Sequence, residues 1–173
     1  MSGVTLVELL ITLSIAVILL AVAGPSYQAL LLNGRRGAVA NAFVLALTYA
    51  RSEAVKRAVP ITLCSRATNA TCADSTAWDG GWLVFVDNLT GRAGSVGTLD
   101  LAEQILLVYP ALPTGTTLRS SARKRVTFQG TGFSAGFNDT FRLCDRRGPV
   151  VARSIILSNQ GRVRTAFGTN SCP

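Results

Sequence analysis

Ten of the 17 lysines and arginines in this 173-residue chain follow Leu118: Arg119, Arg123, Lys124, Arg125, Arg142, Arg146, Arg147, Arg153, Arg162 and Arg164. Only Asp139 and Asp145 accompany them, whereas seven cations meet seven acids before that point, so the net charge of +8 belongs to the last third of the sequence. Nearly all of the ten are arginine, whose planar fork fits a phosphate oxygen pair. A focused basic surface of this kind suits a polyanionic partner. Arg162 and Arg164 flank Val163, so both project from one side if the stretch is extended, and Gly161 lets the backbone turn or approach a ligand closely. Phosphate contacts made in this way are weak, sequence-independent and steeply salt-dependent. The competing reading is a solvated, salt-bridged edge that discourages sheet-to-sheet aggregation. Phe133, Phe137 and Phe167 sit in Gly-rich or terminal segments, where they can stack on bases or anchor loops.

Other chemistries find little support. There is no histidine for proton transfer, no metal-ligand spacing and no Walker loop, so the chain reads as a non-enzyme without metal or cofactor. Residues 130–136, GTGFSAG, miss the dinucleotide spacing by one residue and read as a turn between strands. The four cysteines are an even number in a chain whose apolar N-terminus directs the remaining residues to export, so disulfides are expected. Of three possible pairings, Cys64–Cys72 with Cys144–Cys172 is preferred. The first closes a short loop, and the second pins a C-terminal tail that would otherwise fray.

A single carboxylate, Glu8, stands at the mouth of an apolar stretch that ends at Gly24-Pro25. From Leu9 to Ala23 the only polar side chains are those of Thr12 and Ser14, and with residues 4–7 the stretch reaches the roughly 20 residues that cross a bilayer as a helix. A charge within such a span requires compensation, and a positive partner supplies it. Ala21-Val22-Ala23 has the form of a signal-peptidase site. No cation precedes the apolar run, however, and a secretory signal does not begin its core with Glu.

The elements that must position these residues emerge from periodicity. Past Pro25, residues 27–59 continue as helix, with Ala40, Phe43, Leu47, Ala50 and Ala54 on one face and Pro60 as the stop. Arg51, Glu53, Lys56 and Arg57 are expected to pair along its solvated side. Residues 61–64, 82–86, 104–109, 125–128, 141–144 and 152–157 read as short strands separated by Gly, Asn, Asp or Pro, which favours antiparallel sheet. About 145 residues beyond the span suffice for one domain with its own core.

Gly3, a hydrophobic residue, Thr5, Leu6 and Glu8 ahead of the apolar run resemble the class III leader of type IV pilins and type II secretion pseudopilins. The resemblance implies that a prepilin peptidase and methylase cuts after Gly3 and methylates the new terminal amine of Val4. It also implies that Glu8 neutralises that amine on a neighbouring subunit during assembly, in a register-specific pair, and that Pro25 occupies the place of a helix-kinking proline. Two departures stand out: Val4 occurs where Phe is commonest, and Met1-Ser2-Gly3 lacks the usual basic residues, as a start codon that truncates the leader would explain. Arg35 and Arg36 then lie beyond the span, on the side assigned to the periplasm.

Residues 50–57, ARSEAVKR, with Ile61-Thr62-Leu63-Cys64, then Trp78-Asp79-Gly80-Gly81-Trp82-Leu83-Val84-Phe85 and the closing Gly161-Arg162-Val163-Arg164, resemble the GspH/FimT family of minor pilins and pseudopilins over nearly the whole chain. The implied fold is α+β and type IV pilin-like, a long N-terminal helix laid on an antiparallel β-sheet head. The implied organisation is a leader (1–3), a single-pass inner-membrane assembly helix (4–25) and a periplasmic head (26–173), with other pilin subunits as partners. Two functions are then open. In the FimT branch a Gly-Arg-x-Arg tail is associated with DNA capture for natural transformation, which makes Arg123, Lys124, Arg125, Arg146, Arg147, Arg162 and Arg164 the candidate DNA contacts. The alternative is a structural subunit, either the H-type pseudopilin of a type II secretion system or a pilus-priming minor pilin.

Overall fold

The computed structural model describes residues 3–68, 71–87, 99, 103–169 and 171–172. The chain forms two compact units, Met1–Gly37 and Ala38–Pro173, and helix α1 (Leu6–Arg57) contributes to both. In the first unit, Thr5 caps the helix: its hydroxyl accepts the Glu8 N–H at 3.3 Å and its carbonyl accepts the Leu9 N–H. Thr5 and Glu8 have the T-x-x-E spacing of a capping box, and Glu8 is the acid of the first turn, facing the positive end of the helix dipole. Thr12 and Ser14 donate their hydroxyls back to the carbonyls of Leu9 and Leu10. That leaves a helix surface of exposed Leu, Ile and Val, long and apolar enough to cross a membrane.

In the second unit α1 buries Val39, Ala40, Phe43, Ala46, Leu47, Ala50 and Ala54 on the three- and four-residue repeat of one face. The helix ends at Arg57 rather than at the expected 59. Ala58 takes a left-handed φ of 56°, which breaks the hydrogen-bond ladder two residues before Pro60.

The strands divide between two antiparallel sheets. The first joins β1 (Ile61–Thr68), β2 (Thr71–Cys72), β3 (Trp82–Val86), β4 (Ile105–Tyr109) and β6 (Arg125–Phe128), with β1 between β3 and β6. The second has the order β5 (Thr116–Ser120), β7 (Asp139–Asp145), β8 (Arg153–Leu157) and β9 (Val163–Phe167). Strands β2, β5 and β9 go beyond the six expected from periodicity. Two of these are a two-residue hairpin end and an edge strand, β9, with no fully buried residue, so neither shows a buried alternation.

Phe43 binds α1 to both sheets: its ring centroid lies 5.5 Å from Trp78, 5.0 Å from Trp82 and 4.8 Å from Phe141, all edge-on. Trp82 in turn stacks on Tyr109 at 4.0 Å. Between the tryptophans, Gly81 adopts φ 91° and its α-carbon passes so close to the 109–110 backbone that an added Cβ would lie 2.1 Å from the Tyr109 carbonyl oxygen. The W-D-G-G-W segment is therefore a core clasp, and Trp78 extends it by donating Nε1–H to the Arg123 carbonyl at 3.1 Å. Disulfides join Cys64 to Cys72 and Cys144 to Cys172.

Candidate nucleic-acid interface

Arg162 and Arg164 sit at the β8–β9 hairpin, the open edge of the second sheet. Ser158 builds the turn. Its N–H donates to the Arg162 carbonyl at 3.0 Å, its carbonyl accepts the Gly161 N–H at 2.9 Å, and its hydroxyl accepts the Arg162 N–H at 3.2 Å. Gly161 closes the turn with φ +73°, a region glycine enters freely. Val163 packs inward against the core, which turns Arg162 and Arg164 out to solvent. Together with Ile156 and Ser158 these residues line a cleft of about 430 Å³. Among the described residues no carboxylate lies within ion-pair distance of either arginine.

The turn is supported from behind by a residue expected elsewhere. Arg51 does not join the ion pairs of the helix surface; its Nε–H donates to the carbonyl of Gly132 at 3.0 Å. The helix pairing falls instead to Glu53, with Arg57 at 2.6 Å and Lys56 at 3.5 Å. The Arg57 hydrogen bond holds the Glu53 carboxyl below its usual pKa.

The other candidate contacts are dispersed. Lys124 pairs with Asp74 at 2.9 Å, and with Arg125 it borders a different cleft, beside the Cys64–Cys72 disulfide on the first sheet. Arg123 is held through its backbone, its N–H donating to the Ser120 hydroxyl and to Asp139 Oδ2 at 3.1 Å. Burial raises the Asp139 carboxyl, but hydrogen bonds from Ser120 and from the Thr140 and Ala122 N–H groups outweigh it and keep the group ionised below the usual range. Arg147 grips Asp145 with a fork, Nη2 at 2.6 Å and Nε at 3.0 Å, and that bond raises its pKa further. Arg119, at the start of the basic third, pairs with Asp79. Three of the ten cations are thus neutralised by their own acids, and Arg146 stands exposed on the turn after β7.

Of the three phenylalanines, Phe137 packs against the core, Phe133 is half exposed, and Phe167 is 80% exposed with the Arg153 guanidinium 4.9 Å from its ring centroid. The supporting residues Arg51 and Gly132 were not among the expected contacts. The T-x-x-E spacing was a signal for Thr5, but nothing local pointed to a carbonyl 81 residues from Arg51.

The family model of the type II transport protein GspH matches residues 39–161. Two crystal structures of the type IV minor pilin FimU of Pseudomonas aeruginosa (strain PAO1) are similar in fold. One, in space group P65, has TM-score 0.60 and 20% identity and covers 79% of this chain and 99% of that one. The other, in space group P21, has TM-score 0.63 and 20% identity and covers 81% and 96%. No curated protein matches the sequence. The shared architecture is the type IV pilin fold, a long N-terminal helix packed on antiparallel sheet.

Proposed function

The chain belongs to the GspH family, and from that premise we propose that this minor pilin or pseudopilin, a subunit that assembles with other pilin-like subunits, binds DNA through Arg162 and Arg164. The observation that carries the reading is the contrast among the cations. Arg119, Lys124 and Arg147 are neutralised by acids of the same chain, while Arg162 and Arg164 stand exposed side by side on a rigid hairpin, with none of the described carboxylates near them. Two uncompensated guanidinium forks on an edge strand suit a phosphate backbone and leave the bases unread. Uptake of DNA for transformation is the process such a filament subunit would serve, and the subunit itself is non-catalytic.

Gly3–Val4 is the bond cut by a prepilin peptidase and methylase, residues 4–25 anchor the chain in the inner membrane, and the head lies in the periplasm. Glu8, the acid of the first helical turn, meets the terminal amine of the next subunit during assembly. The family match itself favours a second reading, in which the protein is a purely structural pseudopilin of a type II transport system.

An electrophoretic mobility shift separates the two. The detergent-solubilised full chain is titrated against duplex DNA at low and high salt, beside R162A/R164A. A salt-sensitive shift in the native protein that disappears in the variant, with an unchanged thermal melt, is the expected outcome. No shift at low salt would leave the structural reading, with the arginines serving protein neighbours.

A further inference from the structure

We propose that the phosphate track does not stop at the hairpin but crosses the outer face of the second sheet to Arg142, a residue outside the expected contacts. This rests on the DNA-binding reading above and extends its site. Paired residues on antiparallel strands share a face. Arg164 of β9 lies opposite Ile156 of β8, which lies opposite Thr140 of β7; the neighbouring row on the same face is Ala166, Ser154, Arg142 and Arg119. From Arg164 to Arg142 is two strand spacings and two residues along the strand, or about 12 Å between α-carbons. Only the short side chains of Ala166 and Ser154 intervene in Arg142's own row.

The space they leave is a groove of about 580 Å³ lined by Ser121, Thr140, Ser154 and Thr169 around Arg142, with Phe167 at the rim; the Ser121, Ser154 and Thr169 hydroxyls donate to backbone carbonyls, while that of Thr140 has no acceptor among the described residues. Its electrostatics depend on one residue. Arg119, next in the row, is neutralised by Asp79. Arg142 has none of the described carboxylates within ion-pair distance; its Nη1 donates to the Ser171 hydroxyl at 2.8 Å, and its Nε–H is buried without an acceptor. A guanidinium with an uncompensated charge and Nη2–H donors engaged by none of the described residues, at the wall of a groove, suits an oxyanion. With Arg162 and Arg164 on the same face, the oxyanion that fits is the next stretch of the same nucleic-acid backbone. Arg123, Lys124, Arg125, Arg146 and Arg147 are not among the residues that line this groove.

The test is fluorescence anisotropy of labelled duplex DNA with the full chain in detergent, measured across a salt series for the native protein, R142Q, T140E and R162A/R164A. R142Q is expected to weaken binding about tenfold and to flatten the slope of log Kobs against log salt by about 0.9, the share of one phosphate contact. T140E, which places a carboxylate in the groove and leaves Arg142 in place, is expected to weaken binding at least as much, so the proposal remains testable if R142Q melts early. Native-like affinity and slope in both R142Q and T140E, with R162A/R164A inactive, would overturn the track across the sheet and leave the hairpin site standing. Absence of native binding at low salt would overturn both.

Discussion

Arg51 of α1 and Gly161 of the β8–β9 turn meet over one backbone oxygen, the carbonyl of Gly132. Arg51 Nε–H donates to it at 3.0 Å, and a Cβ added at Gly161 would stand 2.4 Å from that oxygen and 3.1 Å from Arg51 Nε. The amphipathic half of the helix therefore fixes the turn that presents Arg162 and Arg164. The glycine ahead of the two arginines serves this packing as well as the backbone turn.

G161A forces a non-glycine residue into the left-handed region, about 1–2 kcal/mol by itself, and drives Cβ into the Gly132 carbonyl. R51A strips the buried Gly132 carbonyl of its donor, about 1–3 kcal/mol. Because both act on one junction, the double variant is expected to lose less stability in urea melts than the two losses added together. Strict additivity would show that the two residues do not share the junction.

Asp139 makes stability depend on acid. Its pKa in the folded protein lies below the ordinary 3.8, so it contributes stability that is fully present above that value and is lost as pH falls through the lowered folded value. Chemical melts from pH 5 to pH 2 should show the difference between the native protein and D139N shrinking toward the acid end. A constant difference across that window would exclude the carboxylate as the source. The same variant should loosen the 121–124 loop, since Asp139 accepts the Ala122 and Arg123 N–H groups.

The two disulfides close loops of different length, with sequence separations of 8 for Cys64–Cys72 and 28 for Cys144–Cys172. Loop entropy assigns them about 2.5 and about 3.6 kcal/mol. C144S/C172S is therefore expected to lower the melting temperature more than C64S/C72S. It also releases the tail that carries Ser171, the hydrogen-bond partner of Arg142. Equal losses in the two variants would mean that strain or residual structure, not chain entropy, governs them.

What the sequence by itself determined is local. The apolar run and its single acid, the buried face Ala40, Phe43, Leu47, Ala50 and Ala54, and strands such as 82–86 and 125–128 can be read from it, because burial imposes a 3.6-residue period on the helix and leaves the strands as short, nearly continuous runs of β-branched and aromatic residues. The excess of cations in the last third is equally visible in composition. Only the tertiary structure decided which of them carry uncompensated charge. Arg119 finds Asp79 and Lys124 finds Asp74 across sheet and loop, 50 residues apart in the second case, while Arg142 and Arg164 reach one face through strand pairings with no trace in local pattern. The turn that aims Arg162 depends in the same way on Arg51, 81 residues from the carbonyl it holds. Periodicity records how each segment meets solvent and core. Charge compensation and register are set by which segments meet one another, and that is fixed only when the sheets close around Phe43.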